Sequence, residues 1–150
     1  MCKKNTSIAI RFIALLLIFS FISPVYAQAA EAEPIQPRAS AYLDNYAAYV
    51  YLPGNGQVQV YFDVTGTNVM DELGALSIAI YESTDGVNWT FKKTFTHDST
   101  AGMLSYNDDF HTGHVTYNGI VGRYYKALVC IWGGKNGQGD TRYFWTSVKH

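Results

Sequence analysis

The chain has 150 residues, with 48% apolar and 15% charged side chains and a formal net charge of −1. These fractions are those of an ordinary folded protein and exclude a disordered or low-complexity chain. The slightly acidic balance lacks the basic footprint of a nucleic-acid binder, so nucleic acid is not expected as a partner.

The chain opens with Lys3 and Lys4, followed by an apolar run from Ile8 to Ile22 broken only by Arg11 and Ser20. Val25-Tyr26-Ala27 and Ala27-Gln28-Ala29 each offer the small-residue pattern that signal peptidase reads. Residues 1–27 are therefore expected to be a signal peptide, and the working protein to be secreted and extracellular. From Arg11 to Pro24 the apolar stretch is short of the roughly 20 residues a spanning helix needs, so no membrane attachment is expected after cleavage. An uncleaved N-terminal anchor is the alternative. Cleavage removes Cys2 and three cations, leaving eight basic against twelve acidic residues, a net charge of −4. Cys130 then remains as a single thiol, unable to form an intramolecular disulfide. Its setting, Leu128-Val129-Cys130-Ile131, is that of a small buried hydrophobe.

Residues 28–39 are small, acidic and broken by Pro34 and Pro37, which reads as a flexible leader. Residues 40–150 read as one domain. They are rich in Tyr, Val, Ile, Thr, Phe and Trp, which suit a pleated surface, and show no helical period.

Short alternating runs follow one another, separated by turn residues. Tyr42–Leu52 is the first predicted strand, and Pro53-Gly54-Asn55-Gly56 a tight turn. In the second, Gln57–Val64, Val58, Val60, Phe62 and Val64 face one way and Gln57, Gln59, Tyr61 and Asp63 the other. A loop over Thr65–Gly74 leads to a strand at Ala75–Glu82. Ser83-Thr84-Asp85-Gly86 then turns into Val87–Thr96, where Trp89, Phe91 and Phe95 are expected to share a face. A polar stretch, His97–Gly113, precedes strands at His114–Ile120 and Arg123–Trp132. Gly133–Asp140 is a Gly-rich hairpin turn before Thr141–Val148.

About seven short strands without crossover helices imply antiparallel pairing. The expected fold is all-β: an antiparallel two-sheet β-sandwich resembling the immunoglobulin or fibronectin III kind, with a jelly roll or small barrel as the alternative. In such sandwiches a tyrosine often anchors the start of the penultimate strand. Tyr125, in Gly122-Arg123-Tyr124-Tyr125-Lys126-Ala127, is the candidate. Absence of a paired cysteine favours the fibronectin-like side.

From Arg38 to Ser147 the chain also resembles an uncharacterised family of small secreted proteins from Gram-positive bacteria. The resemblance is carried by Tyr61-Phe62-Asp63-Val64-Thr65-Gly66-Thr67, Met70-Asp71-Glu72-Leu73-Gly74, Gly113-His114-Val115, Gly122 to Ala127 and Asp140-Thr141-Arg142-Tyr143. It implies secretion and one small domain, and carries over neither an activity nor functional residues.

Few residues carry chemistry. His97, Asp98, Asp108, Asp109, His111 and His114 include ligand types that metal sites use. Yet His111 and His114, three apart on a strand, point to opposite faces. There is no HExxH base and no G-x-S-x-G elbow, so neither catalysis nor a cofactor is expected. His97, His111, His114 and Asp109 remain the weak metal candidates. Gly133 to Gly139 lacks the Ser or Thr that follows the lysine of a phosphate loop. Ser83 to Trp89 partly resembles the aspartate box of sialidase-like propellers, itself a turn pinned by its Asp.

The aromatics are the remaining signal, 19 of them after residue 27. If Tyr125, Ala127, Val129 and Ile131 face the core, alternation turns Tyr124, Lys126, Leu128, Cys130 and Trp132 outward. Tyr61 faces out from its own strand, and Tyr143 and Trp145 share a face opposite Arg142 and Phe144. Rings stack on the apolar C–H faces of sugars, and exposed apolar patches mark contact surfaces. Tyr61, Tyr124, Trp132, Tyr143 and Trp145 are thus the candidate binding residues of a secreted, non-catalytic module for carbohydrate or a cell-wall polymer. One alternative is that these rings shield the sheet. Others are a structural, adhesin or bacteriocin-like domain that binds another protein, and a metal-dependent hydrolase.

Overall fold

A computed structural model of the protein describes residues 40–150. The expected signal peptide (residues 1–27), Cys2 and the leader (residues 28–39) lie outside the described residues.

Two-residue turns with positive φ close the hairpins. Asn55 (φ 53°) and Gly56 (φ 75°) join the first pair of strands; Asn136 (φ 53°) and Gly137 (φ 74°) join the last. Asn and Gly tolerate this left-handed backbone, and its twist matches that of the flanking strands. The elements are β1 (Leu43–Gly54), β2 (Gln57–Met70), β3 (Glu72–Ser83), β4 (Thr90–Thr96), β5 (Leu104–Ser105), β6 (Asp108–Asn118), β7 (Tyr124–Lys135) and β8 (Gln138–Trp145). Three strands in the order β1-β2-β6 form one sheet. The other runs β4-β3-β7-β8, with the short β5 also paired to β3. All pairings are antiparallel. This is the expected all-β two-sheet sandwich.

The core is where the alternation places it. Val58, Val60, Phe62 and Val64 of β2 and Tyr125, Ala127, Val129 and Ile131 of β7 are all buried, together with Ile78 and Ile80 of β3. Phe144 packs on this core, its ring 5.2 Å from that of Tyr46.

Several boundaries differ from the sequence reading, each for a local reason. There are eight strands among the described residues instead of seven. The expected loop Thr65–Gly74 is largely strand, because β2 runs on to Met70 and β3 starts at Glu72. The polar stretch His97–Gly113 contains β5 and half of β6, whose polar residues occupy an edge strand open to water. The Gly-rich turn shrinks to its two central residues, the glycines on either side continuing the ladder. Trp89 precedes β4. Phe91 and Phe95 do not share a face. The β3–β4 register shifts between Ile80 and Tyr81, so Phe91 pairs with Tyr81 on the outer face and Phe95 pairs with Ile78 in the core. One extra residue, Lys92, makes a bulge that reverses the alternation.

Tyr125 fastens the start of β7. Its hydroxyl accepts a hydrogen bond from the Ile120 amide (2.7 Å), five residues upstream, and donates to Glu82 Oε2 (2.8 Å). Glu82 also pairs with Lys92 at 3.1 Å. Gly119 lies so close that any Cβ there would strike the Tyr125 hydroxyl. This is the tyrosine corner of immunoglobulin-like sandwiches, at the residue expected. Burial pushes the Tyr125 hydroxyl up to about 12, so it remains a proton donor at neutral pH. Burial also raises Glu82, but the hydrogen bonds from Tyr125 and Lys92 and the lysine's charge outweigh it, leaving the carboxyl below its ordinary value.

Tyr125→Phe leaves the Ile120 amide and a Glu82 oxygen without their partner, and is expected to cost about 1–3 kcal/mol. In urea the midpoint falls with an unchanged slope. Because the Glu82 pKa is lowered in the fold, its stabilisation is full above the ordinary value of 4.5 and lost as pH falls through the folded value. The difference between wild type and variant in urea titrations should therefore narrow in acid. A constant difference from neutral pH to pH 3 would contradict this account of the corner.

Candidate binding site

β7 places alternate side chains on the outer face of the larger sheet, and Trp132 lies near its end. Two glycines shape its setting. Gly134 and Gly139 pair across β7 and β8, and Trp132 lies two residues before Gly134. A Cβ at Gly134 would sit 2.6 Å from indole Cζ2 and 2.8 Å from Cε2; one at Gly139 would sit 2.6 Å from Cζ2. The indole therefore lies down over bare backbone, which a side chain at either position would prevent. Its Nε1 donates to Glu72 Oε2 (3.1 Å) on β3, fixing its direction.

The indole lines an open cleft of about 400 Å³ with Asp71, Glu72, Tyr106, Gly134, Lys135, Gly137 and Gln138. Asp71 ties the cleft together: its amide donates to Gly134 O (2.9 Å), and its Oδ2 accepts from the Asn136 amide (2.6 Å). Lys135 Nζ donates to Val69 O (2.9 Å), and Gln138 Oε1 accepts from the Tyr42 hydroxyl (3.2 Å). The cleft thus offers a held aromatic surface beside carboxylate, amide and ammonium groups. Those are the groups that stack on and hydrogen-bond a polyhydroxylated ligand.

The candidate residues separate into two sets. Tyr143 and Trp145 lie on the same outer face as Trp132, 69% and 48% exposed. Tyr143 pairs across strands with Cys130, and the neighbouring thiol raises its hydroxyl pKa. Cys130, turned outward by alternation, is nonetheless buried on this face. Tyr124 shares the face but is occupied, stacked on His150 at 4.1 Å and packed near Gly86. Tyr61 belongs to the other sheet. There it stacks with Tyr49 (5.3 Å) and His114 (5.0 Å) in an upright row across three strands. The five residues therefore do not form one site.

The metal candidates do not converge. His114 stacks on Tyr61 on the outer face of the smaller sheet. His111, paired with the buried Val64, turns inward and bonds Gly102 O (3.0 Å). His97 faces Asp98 at 3.6 Å, and Asp109 is exposed at the start of β6. Among the described residues no group of three or more His, Cys, Asp or Glu is placed to hold a metal ion.

Sequence reasoning missed Glu72, Asp71, Tyr106 and Gln138. The Gly134–Gly139 pair was the available signal, since two facing glycines in a strand mark the close approach of another group. A second, smaller hollow of about 190 Å³ lies at the other end of the sandwich, among Leu52, Ile120, Val121, Arg123 and Tyr125. It is lined mainly by aliphatic groups and turn backbone.

No family model and no curated protein matches the chain. Among solved structures it is similar to Spo0M, a sporulation control protein from Bacillus subtilis, at 11% identity and a TM-score of 0.39. The likeness covers 68% of this chain and 47% of the other, so the chain spans about half the length of that structure.

Gly134→Ala should lift the indole from its bed, because the three nearest atoms to its Cβ would all belong to the ring, the closest at 2.6 Å. The expected result is altered near-ultraviolet circular dichroism and tryptophan emission, with far-ultraviolet spectra unchanged. Wild-type near-ultraviolet and emission spectra would show that the ring does not rest on this backbone.

Proposed function

We propose that the protein is a secreted, non-catalytic binding module that holds a polysaccharide on the outer face of its five-stranded sheet. The observation that carries this reading is the Trp132 indole, laid on two glycines, fixed by Glu72 and lining an open polar cleft. A ring held before binding loses little conformational freedom when a sugar stacks on it. One oxygen of Glu72 and one of Asp71 are not engaged by the indole or the Asn136 amide and could accept sugar hydroxyls. Tyr143 and Trp145 extend the aromatic surface along the strands. The export signal expected in residues 1–27 supports an extracellular polymer as the ligand class, and the scattered histidines favour binding over metal-dependent hydrolysis.

Affinity electrophoresis and calorimetry against cell-wall and plant polysaccharides test the reading. At least one polymer is expected to retard the protein. Trp132→Ala should weaken that binding about tenfold, or about 1.4 kcal/mol, while Tyr49→Ala on the opposite sheet should not. If no polysaccharide binds, or if Trp132→Ala binds as wild type, the proposal is wrong.

A further inference from the structure

Lys126 points outward from β7 on the same face as Trp132, six residues earlier. At a rise of about 3.3 Å per residue the two positions are about 20 Å apart along the strand. The Lys126 ammonium sits between two indoles, 4.4 Å from the ring centre of Trp89 and 4.4 Å from that of Trp145.

Both indoles are braced. Trp89 follows a turn in which the Asp85 carboxylate accepts from the amides of Val87 (2.8 Å) and Asn88 (2.8 Å) and from Asn88 Nδ2 (2.7 Å). Those bonds hold the Asp85 carboxyl far below its ordinary value, so it stays ionised and the turn stays pinned at neutral pH. Trp145 meets Tyr81 edge-on at 5.0 Å, and Tyr81 meets Phe91 edge-on at 5.7 Å. The rings attract the cation through their electron-rich faces but do not neutralise it. The ion pairs among the described residues are Lys92–Glu82, His97–Asp98 and Arg142–Asp140, and no carboxylate there pairs with Lys126. The result is a positioned, uncompensated ammonium beside an exposed indole, at the far end of the face from the Trp132 cleft.

We infer that Lys126, caged by Trp89 and Trp145, is an anion-recognition point, and that the polymer bound along this face is an acidic polysaccharide carrying carboxylates on its sugars. This rests on the polysaccharide reading of the face. A carboxylate meeting the ammonium gains a charge-assisted hydrogen bond. The chain's overall negative charge is screened beyond about 8 Å at physiological ionic strength, so the local cation decides the contact.

The test compares polygalacturonate with its fully methyl-esterified form, which keeps the sugar backbone and loses the charge. Wild type should bind the acid form about tenfold more tightly, and added salt should reduce that advantage while leaving the ester unaffected. Lys126→Met keeps the stem between the indoles and should remove the advantage; Lys126→Arg should restore it. The wild-type salt series needs no variant, so it stands even if Lys126→Met folds poorly. Equal binding of both forms, or an advantage that survives in Lys126→Met, overturns the role of Lys126 and leaves the polysaccharide reading standing. Binding of neither form overturns the inference, and the panel of polysaccharides then decides separately on the polysaccharide reading.

Discussion

The hydroxyl of Tyr125 determines which side chains this protein shows to solvent. It is held by the Ile120 amide and by Glu82 at the point where the chain crosses from the smaller sheet to the larger. Fixing one residue of β7 inward fixes all of them, because the side-chain period of a strand is two and a slip of one residue would exchange the faces. Ala127, Val129 and Ile131 follow Tyr125 into the core, and Lys126 and Trp132 are turned out. The outer face of the larger sheet is thus the complement of the core.

That face is organised by what it lacks as well as by what it carries. Gly134 and Gly139 leave bare backbone, and the Trp132 indole covers it. In the interior of a sheet such glycines cost conformational entropy and packing. Here the indole restores the packing on one side and keeps an aromatic surface towards the cleft. At the other end the same strand presents Lys126, whose charge is held by rings instead of by a carboxylate. An aromatic surface and a fixed cation are joined by one strand, so their spacing is set by backbone geometry and not by flexible loops.

Much of this was legible locally. Alternation over Gln57–Val64 placed four core residues correctly, the Asn-Gly turns marked two hairpins, and Tyr125 was identified from its neighbours. Other features depended on distant partners. The bulge at Lys92 separated Phe91 from Phe95, because the register against β3 decides the face and β4 alone does not record it. The first half of β6, before His114, looked like loop, since an edge strand with water on one side needs few apolar residues. Tyr61 was rightly turned outward, but onto the other sheet from Trp132, because sheet membership is set by pairing and not by alternation.

The sequence by itself determined the class of fold, the turns, the inward residues of the central strands and the corner tyrosine. Each follows from backbone preference or a period of two, and both act over a few neighbouring residues. Only the tertiary structure decided the candidate site. Glu72 meets the Trp132 indole across 60 residues of sequence. Trp89, Lys126 and Trp145 come from a turn and two strands. Their meeting depends on the order and register in which strands pair across the sheet, and no local pattern specifies that order.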